Sequence, residues 1–542
     1  MLRVHRAARS DVLADALAHI LLQPLADPFA AEVVAVPAKG VERWLTQRLA
    51  RTLGATTAGA DGIAANIAFP GPTRLVDEAI AAASGIDPDD DPWAPQRMLW
   101  QLLSLIDRCL DEPWCTVLSV HLGGGTDEHR AGRRYATAEH LRELFRSYEA
   151  HRPAMLVDWA AGDDTDGAGQ ALEPDLRWQA ELWRRLRQEL AADSPAERLE
   201  HTCGRLRDEP QLSELPQRVS LFGATRLTTA QRAVLGALAG HRDVHLWLPH
   251  PSPALWKTLA AERRPPRRRH DWTALEVGHP LTASLSRDVR ELQLLLGDVE
   301  TVHHPAEYDT GTLLAEVQAA IRDDRPPTKA ATPDGTVQVH ACHGPPRQVE
   351  VLREALLHLF QQDRTLEPRD VLVMCPDVET YAPLVRAAFG QPHGPGHPGH
   401  LLRVRLADRS LRQTNPLLDT LSGLLQLAGG RVTASSVLDL AASAPVRRRF
   451  GFRNEDLERL RHWAVQANVR WGLGGEQRAA YGLRRVPQNT WQTGLDRILL
   501  GVAADETDLG WLGLALPLDD VDSSDIDLAG RLAELVDRLE QV

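Results

Sequence analysis

The sequence predicts an α/β protein with two α/β lobes in tandem, each followed or interrupted by mostly helical segments. Short apolar runs of strand length recur beside stretches with helical spacing, both before residue 90 and again after residue 216. Between them, residues 92–215 keep helical spacing throughout. A polar linker with three prolines, Asp323 to Asp334, separates the two predicted lobes.

The first lobe is expected to begin with a helix at Asp11 to Leu22 and a strand at Val33 to Val36. A second helix and a short extended piece around Ile63 to Phe69 follow. After the helical insertion, strands are predicted at Val219 to Phe222 and Val244 to Leu248. The helix between these strands makes a β-α-β unit with a right-handed crossover, so the first sheet resumes after the insertion.

The second lobe is expected to start with the strand Thr336 to His340, the helix Arg347 to Gln361 and the strand Asp370 to Met374. From about residue 430 the pattern is helical and ends within the amphipathic run Leu528 to Leu539, so we expect the chain to end before this lobe is complete. The predicted domains are 1–90, 91–215, 216–325, 326–430 and 431–542.

Composition excludes several classes of protein. No run of about 18 apolar residues predicts a membrane span, and the N-terminus lacks the apolar core of a signal peptide, which favours the cytoplasm. A net charge of −13 argues against a protein that coats nucleic acid over its whole surface, so any DNA contact must be local. The cysteines are odd in number and scattered, which predicts reduced thiols: Cys109, Cys115, Cys203, Cys342 and Cys375.

A strand, a short Gly/Lys loop and a helix at Val33 to Leu49 have the outline of a phosphate-binding loop without its chemistry. Lys39 precedes Gly40, Pro37 removes a backbone donor, and no Ser or Thr follows to bind Mg²⁺. The strands at 219–222 and 244–248 end without the acidic pair that would hold the metal. We therefore expect no ATP hydrolysis by this chain.

Other chemically suggestive residues favour structural roles. His340, Cys342 and His343 are ligand types, but alternate residues of a strand face opposite sides and no fourth ligand is near in sequence. Gly494 to Ile498 has one Asp but Leu499 where a nuclease site needs a second acid. We expect no catalytic, cofactor or metal site. The basic run Arg263 to His270 indicates an exposed loop, with a phosphate contact as the alternative.

Many short segments, in the right order over nearly the whole chain, resemble the RecC family, the gamma subunit of the bacterial RecBCD helicase-nuclease (exodeoxyribonuclease V). They are Met1-Leu2-Arg3-Val4, Asp11-Val12-Leu13, Trp44-Leu45, Gly62 to Ile67, Phe69-Pro70, Leu221-Phe222-Gly223, His279-Pro280-Leu281, Val339 to His343, Val349 to Leu352, Pro368 to Val371, Tyr381-Ala382-Pro383, Ala407 to Ser410, Arg470-Trp471-Gly472, Thr490-Trp491 and Leu499-Leu500-Gly501.

The resemblance implies two superfamily 1 helicase-like (RecA-like) lobes that are catalytically inactive, in a protein about twice as long as this chain. It implies a subunit that binds double-stranded DNA ends and single-stranded DNA, channels the 3′-ending strand and scaffolds a RecB-like helicase-nuclease and a RecD-like helicase. ATP and Mg²⁺ would be used by those partners, in double-strand-break repair and homologous recombination.

In this family, residues of the first lobe recognise the Chi sequence on the strand passing through the tunnel. By position, the resemblance places such DNA contacts near Pro37, Lys39, Arg43, Gly71, Asp77, Glu143, Leu144, Arg146 and Arg152. Only Leu144 and Arg152 keep the family pattern, so we expect a retained tunnel without recognition of the enterobacterial Chi octamer. Lys39 and Arg43 favour contact with phosphates. The structural alternative is that Lys39 and Arg43 are solvent-exposed charges at the start of a helix.

Two other functions stay open from the sequence. The chain would be an active superfamily 1 ATP-dependent helicase if its atypical loop still bound nucleotide through Lys39. It would be an inert truncated remnant if the family's partner contacts lay outside it.

Overall fold

The computed structural model describes residues 1–27, 29–55, 62–88, 90–123, 133–262, 264, 268–327, 332–389, 397–406, 415–504 and 516–541. The chain divides into two compact units, Met1–Val339 and His340–Val542. None of the helices in these ranges is long and apolar enough to cross a membrane.

A parallel sheet organises the first unit. Its strands are β1 Leu2–Ala7, β2 Glu32–Ala35, β3 Ile67–Ala68, β4 Arg218–Phe222, β5 Asp243–Pro249 and β6 Glu300–His303. Their order across the sheet is β3-β2-β4-β5-β1-β6, and every neighbouring pair is parallel. The predictions of β2, β4 and β5 are confirmed. Strands β1 and β6 were not predicted, because polar residues interrupt their short apolar patterns.

Helices account for most of the remaining residues of the first unit. They are α1 Ser10–Leu21, α2 Lys39–Leu49, α3 Pro72–Ser84, α4 Pro95–Cys109, α5 Thr116–His121, α6 Arg134–His151, α7 Pro153–Ala161, α8 Arg177–Leu190, α9 Pro195–Asp208, α10 Thr229–Leu238, α11 Pro253–Leu259, α12 Pro280–Leu285, α13 Arg287–Leu296 and α14 Leu313–Arg322. The stretch from α4 to α9 lies between β3 and β4 in the sequence and is helical, as expected.

Both faces of the sheet are buried, which requires apolar residues at successive strand positions. On one face, Val34 packs with residues of α1 and α2 such as Leu17 and Leu45. On the other face, Val219 and Leu246 pack with residues of α3, α9, α10 and α13. The helical insertion has a core of its own, built around Phe145, Trp159 and Trp183.

The strand order decides which strand ends form the main crevice of the sheet. From β1 the chain passes through α1 to β2, which lies three positions away towards the β3 edge of the sheet. From β5 it passes in the opposite direction, to β6 at the other edge, beyond β1. In open parallel sheets, ligands bind where the connections reverse direction, outside the carboxyl ends of the strands. That point lies at the ends of β1 and β5. The Pro37–Gly40 loop follows β2 instead, so its interpretation as the counterpart of a phosphate-binding loop is wrong.

The second unit is helical. It contains α15 Gly344–Gln362, α16 Val378–Phe389, α17 Pro416–Ala428, α18 Ala434–Ala442, α19 Ala444–Phe450, α20 Asn454–Gln466, α21 Gly475–Arg478, α22 Trp491–Gly501 and α23 Ile526–Glu540. Its main core surrounds Trp463 and Trp491, against which α23 packs Leu532 and Val536. The predicted helix at 347–361 is confirmed by α15.

The two strands predicted for a second α/β lobe are absent. Thr336 to His340 and Asp370 to Met374 have no strand conformation, and Val339, Leu372 and Met374 are 93%, 85% and 88% exposed. A β-branched, apolar run shows a local preference, but a strand forms only when a neighbour accepts and donates its backbone hydrogen bonds. Neither segment belongs to the sheet formed by the described residues. The expectation of two sheet-containing lobes is therefore wrong for the part of the chain that the structure describes.

Candidate nucleic-acid interface

Three of the predicted DNA contacts lie at the carboxyl edge of the sheet. Lys39 is the first residue of α2 and Arg43 lies one turn later, and both side chains are exposed. Gly71 immediately precedes α3. The backbone N–H of Val36 donates to the carbonyl of Pro70 at 3.0 Å, which holds the two loops side by side. Lys39 and Gly71 therefore lie at the ends of neighbouring strands.

The α2 loop lacks the backbone features of a phosphate cradle. Gly40 lies inside the first turn of α2, and a Cβ added there would meet nothing within 4 Å. Glycines of such cradles are needed for left-handed backbone or for close approach to phosphate. Gly40 meets neither condition among the described residues, so this loop offers two exposed cations without a built pocket.

Four other predicted contacts, Asp77, Glu143, Leu144 and Arg146, lie on α3 and α6. Partial burial raises the pKa of Asp77, and the nearby guanidinium of Arg146 opposes that rise. Asp77 and Arg146, two of the predicted DNA contacts, therefore lie near each other in the structure. Glu143 is exposed and lies 3.5 Å from Arg142. Leu144 is partly buried and packs against the core of the helical insertion, which is a structural contact.

Glu149, one turn beyond Arg146, was not predicted. Burial raises the pKa of its carboxyl to about 8, which Arg146 and Arg198 oppose and Asp91 reinforces. Its Oε1 atom is shut off from solvent and has no hydrogen-bond partner. Arg198 is itself paired with Asp91 at 2.6 Å. Arg146 thus lies between two acidic groups, of which Glu149 is protonated at neutral pH.

Arg152, the last predicted contact, belongs to a group of basic residues that we call the arginine cluster: Arg152, Arg226, Arg264 and Arg268, with His151 beside them. Arg226 follows β4, whereas Arg264 and Arg268 follow α11. Partial burial lowers the pKa of His151, and the charges of Arg268, Arg264 and Arg226 lower it further. Arg152 likewise lowers the pKa of Arg264. These couplings place cations from three separate segments at one edge of the sheet.

Two carboxylates of α13 partly neutralise the arginine cluster. Arg226 pairs with Asp288 at 2.5 Å and Arg268 pairs with Glu291 at 2.7 Å. Arg152 and Arg264 form no ion pair within 4.0 Å among the described residues; Arg264 Nη1 donates only to the Thr229 hydroxyl at 3.4 Å. Four guanidinium groups therefore face two carboxylates, and the excess positive charge is available to an external polyanion.

A cleft of about 200 Å³ adjoins the cluster in the helical insertion. Arg152 lines it together with Tyr148, Gln179 and two acidic residues, Asp166 and Glu173. The Tyr148 hydroxyl donates to Gln179 Oε1 at 2.9 Å. Trp159 is only 1% exposed and belongs to the core beneath the cleft, so the partly exposed Tyr148 is the aromatic ring available beside Arg152. An aromatic ring next to an arginine is a combination with which proteins hold an unpaired base.

A row of buried histidines lies deeper in the sheet. His5 Nε2 is 3.0 Å from His245 Nδ1, and His5 Nδ1 is 3.0 Å from His304 Nε2. Burial and the neighbouring imidazoles lower the pKa of His5 to about 3, and burial lowers that of His245 to about 4. The His5 ring stacks on Trp247 at 4.0 Å. These histidines form a linear chain of hydrogen bonds, so their ring nitrogens do not converge on a common ligand position. No group of the described residues has the geometry of a metal site.

Sequence reasoning missed the convergence of Arg226 and Arg264 with Arg152. The signal was present in the basic run Arg263 to His270, for which a phosphate contact was only the alternative. Arg226 gave no signal, because a single arginine after a strand is common. The described residues of that run lie beside the end of α6, a neighbour that sequence distance conceals.

Together these features define a class of protein: an open, parallel α/β unit with a helical insertion and an arginine-rich edge suited to a polyanion. The sequence matches the family described as "RecC, N-terminal domain" over residues 2–324 and the one described as "RecBCD enzyme subunit RecC fourth domain" over residues 414–542. The chain belongs to the RecC family.

Similar proteins carry the description "RecBCD enzyme subunit RecC". The one from Mycolicibacterium smegmatis is 50% identical over 100% of this chain and 49% of its own length. The one from Mycobacterium tuberculosis (strain H37Rv) is 49% identical, with 100% and 50% covered. The one from Escherichia coli is 28% identical, with 99% and 51% covered. The chain thus spans about half the length of the curated relatives it matches.

Proposed function

We propose that this chain is a non-catalytic DNA-binding and scaffolding part of a RecBCD-type exodeoxyribonuclease V. It binds DNA ends, channels the 3′-ending strand and holds a RecB-like helicase-nuclease and a RecD-like helicase during double-strand-break repair and recombination in the cytoplasm. ATP and Mg²⁺ are used by those partners. The observation that carries the proposal is the arginine cluster at the edge of the sheet, in a chain of the RecC family.

The absence of ATP hydrolysis is part of the proposal. The loop at the switch point after β1 is Ala8-Arg9, directly before Ser10 of α1, and the loop after β2 is Val36 to Ala38. Neither loop has the G-x-x-x-x-G-K-[ST] pattern that cradles and neutralises nucleotide phosphates. A helicase-like lobe with these two loops is suited to bind DNA without using ATP hydrolysis to translocate it.

For the DNA path, we propose that the strand runs along the carboxyl edge of the sheet in the first unit. The arginine cluster, Lys39 and Arg43 supply phosphate contacts, and the cleft at Tyr148 accepts a base. Because phosphate contacts carry no sequence information, binding here is mainly nonspecific and weakens with salt. Any Chi-like recognition would come from the cleft and from the Asp77–Arg146 pair, and would differ from the enterobacterial octamer.

The salt dependence of single-strand binding tests this path. Each phosphate contact to a single strand contributes about 0.7 to the slope of log K against log salt concentration. We expect Arg152→Gln with Arg264→Gln, the two cluster residues without ion pairs, to reduce that slope by about 1.4. Arg74→Gln with Arg97→Gln is the matched control, since both are exposed and paired, with Glu78 and Asp90 respectively. Equal slopes for the two double variants would contradict the proposed path.

Co-expression with the RecB-like subunit of the same host tests the scaffolding part. Co-elution as one complex that binds blunt DNA ends is the expected result. Separate elution would favour the inert-remnant alternative, whatever the salt experiment shows. ATP hydrolysis by the purified chain that is lost in Lys39→Ala would instead favour the active-helicase alternative.

A further inference from the structure

Arg6, near the end of β1, is a buried arginine whose side chain forms no hydrogen bond or ion pair with a described residue. Only 8% of the residue is exposed. Its Nε and Nη1 atoms are shut off from solvent and have no hydrogen-bond partner. Burial lowers the pKa of its guanidinium, and no carboxylate counters that effect. A buried charge without a counter-charge is strongly destabilising, so this residue requires a physical explanation.

The other buried arginines of the described residues, Arg242, Arg290 and Arg478, each donate several hydrogen bonds to protein acceptors, whereas the side chain of Arg6 donates none to a described residue. One nitrogen each of Arg242 (Nη1) and Arg478 (Nε) also lacks an acceptor among the described residues. Arg290 pairs with a carboxylate, and Arg242 and Arg478 each donate to three backbone carbonyls. The acceptors are Asp271, Thr273, Ala283 and Ser286 for Arg290, Pro210, Ser213 and Leu215 for Arg242, and Trp471, Val486 and Gln488 for Arg478.

Two histidines next to Arg6 also have unsatisfied nitrogens. His250, which follows β5, is 3% exposed. Its Nδ1 accepts from the backbone N–H of Ser252 at 3.2 Å, so in the neutral ring Nε2 carries the proton, and this atom has no acceptor. His303 at the end of β6 has a buried Nδ1 without a partner. The charge of Arg6 lowers the pKa of both histidines, so all three groups are close together.

Trp256 of α11 forms a wall of the same site. The Arg6 guanidinium carbon lies 5.0 Å from the centre of its ring. The His250 ring meets it edge-on, with the centroids 5.1 Å apart. We call the group of Arg6, His250, His303 and Trp256 the Arg6 niche. It presents N–H donors of Arg6 and His250 at the carboxyl ends of β1 and β5, where the sheet connections reverse direction.

We propose that the Arg6 niche binds a small inorganic oxyanion of the phosphate or sulfate class. Such an anion accepts several N–H donors at once, and a guanidinium can hold two of its oxygens side by side. It supplies the counter-charge that the described protein groups do not. The niche is separate from the arginine cluster, because its donors are buried whereas the cluster lies at the surface. The proposal is therefore independent of the proposed DNA path.

Urea unfolding of the full chain, with phosphate replacing chloride at constant ionic strength, tests the niche. We expect the midpoint of the first unit to rise saturably with inorganic phosphate. Arg6→Met, of similar volume, should abolish the rise and be at least as stable as the wild type without phosphate. Arg242→Met is the matched control: it removes a buried arginine that donates to three backbone carbonyls, so it should lower stability and keep the phosphate response.

Nuclear magnetic resonance of His250 gives a second readout that does not depend on how Arg6→Met folds. Phosphate should raise the pKa of His250 in the wild-type chain, because a nearby anion favours the charged ring. Adenosine monophosphate, titrated in parallel, distinguishes a phosphate ester from the free anion. A phosphate response that persists in Arg6→Met, no saturable response in the wild type, or a response to the ester alone would each overturn the proposal.

Discussion

Replacing Glu149 by Gln should make the first unit more stable at alkaline pH and leave it unchanged at acid pH. The carboxyl has its ordinary pKa of 4.5 when unfolded and a pKa of about 8 in the folded protein. The folded state therefore binds more protons between these values, and stability falls as pH rises through that window. Glutamine has nearly the same shape and does not titrate, so the variant removes this pH dependence.

The size of the effect follows from the two pKa values. At about 1.4 kcal/mol per pKa unit, the rise from 4.5 to about 8 corresponds to a ceiling of about 5 kcal/mol. Part of the Glu149 side chain still reaches solvent, which screens the charge, so we expect about 2–3 kcal/mol at about pH 8.5. At about pH 4 the glutamate is protonated in the folded state and largely protonated in the unfolded chain, so the two proteins should agree within about 0.5 kcal/mol.

Urea unfolding at both pH values measures the difference, with hydrogen exchange of α6 amides to follow the first unit. Glu143→Gln is the matched control, since Glu143 lies on the same helix with its side chain exposed. It should change stability by less than about 0.5 kcal/mol at either pH. Equal destabilisation by Glu149→Gln at both pH values would refute the reasoning, because it would mean that shape and hydrogen bonding, not charge, decide this position.

Two further outcomes follow from the structure. His5 and His245 have folded pKa values of about 3 and about 4 against 6.5 unfolded, so their contribution to stability is present above pH 6.5 and lost as pH falls towards those values. In the glutamine variant described above, urea unfolding should show stability decreasing below about pH 6, and His5→Gln should flatten that decrease; an unchanged slope would contradict it. Gly501→Ala should destabilise the second unit by about 1–3 kcal/mol, because the new Cβ would lie 2.2 Å from the Leu518 carbonyl oxygen. Gly530→Ala has open space and should stabilise it by about 1 kcal/mol in thermal unfolding; effects of the same sign in both would count against this account.

Local patterns predicted a large part of the fold. The helix α15 and the strands β2, β4 and β5 follow from apolar spacing, because burial of one or two faces imposes that spacing on the sequence. Family membership also follows from the sequence, since many short segments match in order. The short strand β6 was not predicted, because four residues with three polar side chains carry little periodic signal.

The candidate site could be predicted only in part. The resemblance proposed Lys39, Arg43 and Gly71 as DNA contacts, and the structure places Lys39 and Gly71 after neighbouring strands, with Arg43 one turn into α2. Their role in binding DNA stays a prediction, as do those of Asp77, Glu143, Leu144, Arg146 and Arg152. The arginine cluster could not be assembled from sequence, because its members are up to 116 positions apart, from Arg152 to Arg268. Only packing of the helical insertion against the sheet brings them together.

The sequence by itself determined most of the helical segments, the buried strands β2, β4 and β5, and the family to which the chain belongs. These are local or cumulative properties of residue order. The tertiary structure alone decided the strand order, which puts the main crevice at β1 and β5 and not at the loop after β2. It also left two strand-like runs outside the described sheet and brought Arg6 close to His250. Each of these outcomes depends on which backbone segments pair and which charged side chains come into contact. Tertiary packing decides both, and the distance between residues along the chain does not.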